Sequence, residues 1–158
     1  MNDPRPFRDE DLPGVLDLIG RCYAEYGLVL DLDDECEAHL HDLGGTFRPD
    51  GEYWVIDDGG VIATVALRMH EGIGELKSLY VDPGRRRTGL GARLTRLVID
   101  EARARGASTL ELWSDTRFEA AHALYRSLGF EAGGTRHLHD SNDSWELAFR
   151  LDLDGASN

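Results

Sequence analysis

The chain has 158 residues, 41% hydrophobic and 30% charged, the make-up of one globular domain rather than a disordered chain. Seventeen basic residues against 30 acidic ones give a net charge of −13, which argues against a general nucleic-acid binder, whose affinity comes mostly from neutralising phosphates. No apolar run approaches the ~20 residues of a membrane helix, and no apolar stretch follows the first basic residues as in a signal peptide. The expectation is a cytoplasmic protein with no membrane partner, a single domain over residues 1–153 and a disordered tail at 154–158.

Leu12, Val15, Leu16, Ile19, Tyr23 and Tyr26 fall at helical spacing, with Asp11 expected as N-cap and Pro13 in the first turn. A second, weaker helix uses Cys36, Leu40 and Leu43 and is expected to stop at Gly44-Gly45. Tyr53–Asp57 and Val61–His70 read as strands around the turn Asp58-Gly59-Gly60. A third strand covers Ile73–Val81. Its alternation slips, with Leu76 in one phase and Leu79 and Val81 in the other, which predicts a β-bulge between Lys77 and Leu79.

After Asp82-Pro83-Gly84 a helix carries Leu90, Leu94, Leu97, Val98 and Ala102 on one face and ends at Gly106. Thr109–Trp113 is a strand. Thr116-Arg117-Phe118-Glu119 has the form of a capping box, opening a helix with Ala121, Leu124, Tyr125 and Leu128 that closes at Gly129. Trp145, Leu147, Phe149, Leu151 and Leu153 alternate with polar residues as in a half-buried antiparallel strand. The order is (β)ααβββαβαββ, the first strand a short one near Arg5–Arg8. This is an α/β chain of α+β type, with a mixed, largely antiparallel central sheet flanked by about four helices.

Cys22 and Cys36 lie 14 apart with no CxxC and read as reduced thiols, Cys22 as a small core hydrophobe. The pairs His39/His41 and His137/His139 lack a third ligand at metal-site spacing, so no metal is expected.

The stretch richest in chemistry runs from Leu79 to Leu94. A strand ends, Arg85-Arg86-Arg87 follow, and Gly89 and Gly91 stand where a helix begins. Free amides at a helix start, the helix dipole, close-approach glycines and guanidinium groups together make an anion site. No Lys-Ser/Thr follows the glycines, so this is not a P-loop. The third position after Gly91 is Leu94, so it is not the dinucleotide GxGxxG. A plain helix start with solvated arginines is the competing reading.

Leu79-Tyr80-Val81-Asp82-Pro83 followed by Arg86-Arg87-Thr88-Gly89-Leu90-Gly91 resembles the pyrophosphate loop of the GNAT superfamily of acyl-CoA-dependent N-acetyltransferases. Ala121-His122-Ala123-Leu124-Tyr125 and Gly129-Phe130 resemble that family's A-x-x-L-Y-x-x-x-G-F block, in the family's order. The pattern departs at Phe118, where many members carry Asn. The resemblance implies a GNAT-like fold with acetyl-CoA as co-substrate. Arg86, Arg87, Thr88, Gly89, Leu90, Gly91 and Ala92 would hold the pyrophosphate. Backbone groups of Leu79, Tyr80 and Val81 would meet the pantetheine arm, and His122 would approach the cofactor. Tyr125 takes the place of the family's general acid, able to protonate a departing thiolate. Glu75, 11 residues before Arg86, stands at the spacing of the catalytic base in the histone-acetylating branch. The expected partner is a small-molecule amine acceptor, cationic because Asp31, Asp33, Asp34, Glu35 and Glu37 crowd the link between the first two helices. A homodimer through the C-terminal strands is common in the family, and other acyl donors stay open. The alternative function is an acyl-CoA-binding regulatory module without turnover.

Overall fold

The computed structural model describes residues 2–154. The chain order is β1 (Arg5–Pro6), α1 (Leu12–Ala24), α2 (Leu43–Phe47), β2 (Glu52–Asp57), β3 (Val61–His70), β4 (Ile73–Val81), α3 (Leu90–Ala104), β5 (Thr109–Asp115), α4 (Glu119–Ser127), β6 (Glu131–His137) and β7 (Trp145–Asp152). The strands form one seven-stranded sheet in the order β1-β2-β3-β4-β5-β7-β6. Every pairing is antiparallel except β4 with β5. Of the expected tail, residues 155–158 lie outside the described residues.

Helices cover both faces, and period-2 alternation divides the core between them. Tyr53 and Val55 of β2 join α1 and α2 in one cluster. Trp54 and Ile56 face the other way, into a cluster that holds Leu90, Leu94, Val98 and Ala102 of α3 and Tyr125 of α4. Burial on both faces is why β2 reads as an unbroken apolar run. Each fully buried leucine there contributes roughly 1.5–3 kcal/mol.

Four local expectations change. Asp11 does not cap α1. Its carboxylate accepts Arg5 Nη1 and Nη2, each at 2.8 Å, and the Arg8 amide at 2.8 Å, so the ion pair to β1 takes it. Tyr26 lies past the end of α1, which stops at Ala24. The second helix is two pieces, a 3-10 helix over Glu35–His41 and then α2, which runs through Gly44-Gly45 instead of stopping there. Asp42 breaks the chain between them and its carboxylate caps α2 by accepting the Gly45 amide at 2.9 Å. A Cβ on Gly45 would lie 2.1 Å from that carboxylate, so the glycine serves the cap.

The last change is at Thr116. Strand β5 runs on to Asp115, the Thr116 amide donates to Trp145 O at 2.9 Å, and α4 begins only at Glu119 with no side-chain cap. The sheet holds the residue that the capping box needed. The predicted bulge is present: Thr64 faces Tyr80 while Ala66 faces Lys77. Ser78 carries the irregularity with φ 57°, and its carbonyl accepts the Thr64 hydroxyl at 2.8 Å.

Candidate active site

Strands β4 and β5 are paired only at Ile73–Thr109, Gly74–Leu110 and Glu75–Glu111. Beyond Glu75 they part, so Leu76–Val81 has no strand on its β5 side. The bulge bends β4 within this free stretch. The opened sheet leaves a wedge that exposes backbone donors and acceptors of β4, and two cavities lie against it.

The first cavity, of about 500 Å³, lies at the wide end. Arg85, Arg86, Arg87, Gly89, Gly91 and Ala92 line it from the turn and the start of α3. Arg87 (φ 64°) and Gly89 (φ 81°) are both left-handed, which folds the chain tightly before the helix. The first amides of α3 have no intrahelical acceptor and add positive potential. A Cβ on Gly91 would come 3.2 Å from Leu124 Cδ2, so glycine there keeps α3 and α4 close. Arg86 is held in place by Glu25, at 2.6 and 2.8 Å. Thr88 turns its hydroxyl onto Arg85 O at 2.6 Å.

The second cavity, of about 340 Å³, shares only a wall of Leu79, Tyr80, Phe118 and Ala121 with the first. Tyr125 and Glu75 both line it. The Tyr125 ring packs against Phe130 and Phe149, centroids 5.7 and 5.4 Å away. Burial pushes its hydroxyl well above the usual tyrosine range, so it stays protonated and can donate. Opposite, the Tyr23 hydroxyl donates to Glu37 Oε1 at 2.8 Å and stands 3.4 Å from that of Tyr80. Burial, with Asp34 and Asp140 nearby, pushes the Glu37 carboxyl up, against the Tyr23 hydrogen bond. Burial lowers His39, also on this wall, to about 4, so its imidazole is neutral at pH 7.

Residues 12–130 match the Acetyltransferase (GNAT) family. The chain belongs to the GNAT family. It is similar to the Escherichia coli (strain K12) N-acetyltransferase YjgM, itself uncharacterised, at 31% identity over 129 residues, 77% of each chain. It is also similar to an IAA acetyltransferase of Azospirillum brasilense, at 35% identity over 99 residues. That match covers 61% of this chain and 65% of the relative, so the chain spans under two thirds of that protein's length. Among solved structures, yncA of Salmonella typhimurium, solved with its cofactor acetyl-CoA, superposes with a TM-score of 0.70 at 20% identity, over 98% of this chain and 95% of that one. At that identity the likeness speaks for the fold.

In GNAT terms the residues singled out from the sequence mostly converge. Leu79, Tyr80, Val81, Arg86, Arg87, Gly89, Leu90, Gly91 and Ala92 line the first cavity, while Tyr125 and Glu75 line the second. Thr88 is exposed beside the first cavity without lining it. His122 stands apart from both. Its Nε2 lies 3.1 Å from Ser114 Oγ and 3.0 Å from Asp115 O, and its ring packs on Phe149. Its place one turn before Tyr125 puts it on the same buried face, a signal already present in the sequence.

Phe118, singled out from the sequence only as a departure from the family's Asn, lines both cavities and packs 4.9 Å from Tyr26. Sequence reasoning missed the Tyr23–Glu37 pair. Of the acidic link, Glu37 lines the second cavity. Asp31 and Asp34 instead bind the Ser141 hydroxyl at 2.7 and 2.9 Å, fastening the link to the β6–β7 loop. Of the histidine pairs, His41 contacts Leu32 O and His137 pairs with Asp143. Among the described residues no three His, Cys, Asp or Glu gather as a metal would need.

Proposed function

We propose that the chain is an N-acetyltransferase that moves an acetyl group from acetyl-CoA to the primary amine of a small cationic acceptor, by direct attack while both are bound. The observation that carries this reading is the meeting of two cavities at one wall. One is basic and lies at a helix start, and the other is lined by a protonated tyrosine and several carboxylates. The chemistry of the first cavity fits a pyrophosphate: three arginines, glycines that allow close approach, and unpaired helix-start amides. Acetyl-CoA supplies an electrophilic thioester carbonyl and a thiolate leaving group.

The chain's own residues then have distinct tasks. The Arg85–Gly91 segment holds the anionic end of the donor. The unpaired side of β4 around Leu79–Val81 offers backbone groups to the arm and a donor to the carbonyl oxygen. Tyr125 delivers a proton to the sulfur. Carboxylates of Glu37, Glu75 and Asp140 face the acceptor space. Glu146 there is paired with Arg136 at 2.7 Å, and Lys77 is the opposing cation. That excess of negative charge draws an ammonium group inward.

The test is thiol release from acetyl-CoA with a panel of small diamines, aryl-ethylamines and amino acids. Turnover should appear with cationic amines and be weakest with amino acids, whose carboxylates are repelled. No thiol release with any amine, despite acetyl-CoA binding, would instead favour a binding module without turnover.

A further inference from the structure

Three carboxylates in the acceptor cavity have no cationic partner among the described residues: Glu75, on β4, Glu37, on the 3-10 helix, and Asp140, on the β6–β7 loop. They differ in what surrounds them. Glu75 sits where β4 and β5 begin to part. It is four residues before Leu79, roughly 13 Å along the strand at ~3.3 Å per residue. Glu37 reaches the shared wall through hydroxyls, because Tyr23 joins it at 2.8 Å and stands 3.4 Å from Tyr80, which lines both cavities. Tyr23 occupies one carboxylate oxygen of Glu37, and no lysine or arginine pairs with the other among the described residues. Neighbouring acids are spoken for. Asp140 accepts the Ser144 amide and hydroxyl at 2.6 and 2.8 Å, and Asp115 faces Arg117 at 3.5 Å.

We propose that Glu37 is the carboxylate that receives the acceptor's ammonium group and removes its proton, with Tyr23 as the positioning residue that aims it. The inference rests on the acetyltransferase reading above. In the first step an N–H bond of the ammonium breaks, its electron pair stays on nitrogen, and an O–H bond forms on Glu37. The free amine then forms the C–N bond as the C–S bond breaks. The thiolate takes the Tyr125 proton, and the proton left on the new amide nitrogen restores Tyr125. Glu37 releases its proton to solvent, so one proton leaves per turnover.

The groups facing Glu37 set its working pH. Burial and the charges of Asp34 on its own turn and Asp140 on the β6–β7 loop raise its pKa, while Tyr23 of α1 and Lys77 of β4 lower it. Tyr80, the neutral His39 and the Cys36 thiol also line this part of the cavity. A carboxylate with a raised pKa is a stronger base toward an ammonium.

Initial rates with tyramine and putrescine, measured across pH, test this in wild type, Glu37→Gln, Tyr23→Phe and Glu75→Gln, with acetyl-CoA binding followed by calorimetry. For Glu37→Gln we expect kcat/KM for the amine to fall at least tenfold and the acid limb of its pH profile to disappear. Affinity for acetyl-CoA should stay within twofold. Tyr23→Phe should move the acid limb to higher pH, because a hydrogen bond that favours the charged carboxylate is gone. An unchanged acid limb in Glu37→Gln, or its loss in Glu75→Gln alone, overturns the inference and leaves the acetyltransferase reading standing. Failure of the wild type to bind acetyl-CoA, or to acetylate either amine, overturns both.

Discussion

Replacing Tyr125 with Phe removes one oxygen from a site whose packing is otherwise kept. The ring contacts with Phe130 and Phe149 survive, and the hydroxyl makes no hydrogen bond among the described residues, so stability should change by less than ~1 kcal/mol. Rate should change far more. General acid catalysis contributes ~10²–10⁴-fold, which at 1.36 kcal/mol per decade is a barrier increase of roughly 2.7–5.4 kcal/mol. Because burial holds the hydroxyl pKa above its ordinary 10.0, deprotonation of Tyr125 should not limit the wild-type rate below about pH 9. Steady-state kinetics under saturating acetyl-CoA, with a thermal melt of each protein, make the measurement. A kcat within threefold of wild type refutes Tyr125 as the acid. A large loss of kcat accompanied by a collapsed melting temperature would show that the hydroxyl serves the fold instead.

Gly89→Asp places a side chain at φ 81° and a carboxylate at the anion site. The strain is about 1–2 kcal/mol, and calorimetry should show acetyl-CoA binding lost while circular dichroism keeps the fold; unchanged binding refutes the loop's role. Asp11 is held below its ordinary 3.8, chiefly by the Arg5 hydrogen bonds. Its contribution is therefore complete above pH 3.8 and vanishes as pH falls through the lower, folded value. Asp11→Asn should destabilise by about 1–2 kcal/mol at pH 6, with a gap that closes below pH 3.8; a gap independent of pH refutes the pairing. Raising salt from low ionic strength to ~0.1 M should raise KM for the amine, since the Debye length falls to ~10 Å. Asp33→Lys with Glu35→Lys, both exposed, should raise it too, and no movement in either experiment removes the acidic link from acceptor choice.

What could be read from the sequence was what local periodicity encodes. The strands Val61–His70 and Ile73–Val81 have the bounds expected, and the phase slip between Leu76 and Leu79 marked the bulge, because a side chain in a strand has only two faces to choose from. Helix α3 was legible from its leucine spacing and flanking glycines. The short segments were not, since Asp11, Asp42 and Thr116 each had more than one partner to satisfy and only tertiary contact decides which wins. The wedge between β4 and β5 was invisible because it depends on where pairing between residues 36 apart ends, at Glu75 and Glu111. Glu37 was lost in an acidic run that looks solvated, and nothing short of the position of Tyr23 separates it from its neighbours.

The early end of that pairing leaves two thirds of β4, Leu76–Val81, as an edge strand in the middle of a sheet. Unpaired strand edges are templates for other chains, and proteins usually blunt them with charge, proline or a bulge. This edge is blunted from within. Ser78, at φ 57°, breaks the regular repeat of donors and acceptors that an incoming strand would have to match. Tyr26 and Phe118, 4.9 Å apart, stand as an aromatic pair on the wall of the adjoining cavity. A straightened β4, with Ser78 deleted, would present a regular ladder to neighbouring molecules. The bulge thus makes a poor template for an incoming strand at the very place where the sheet stays open.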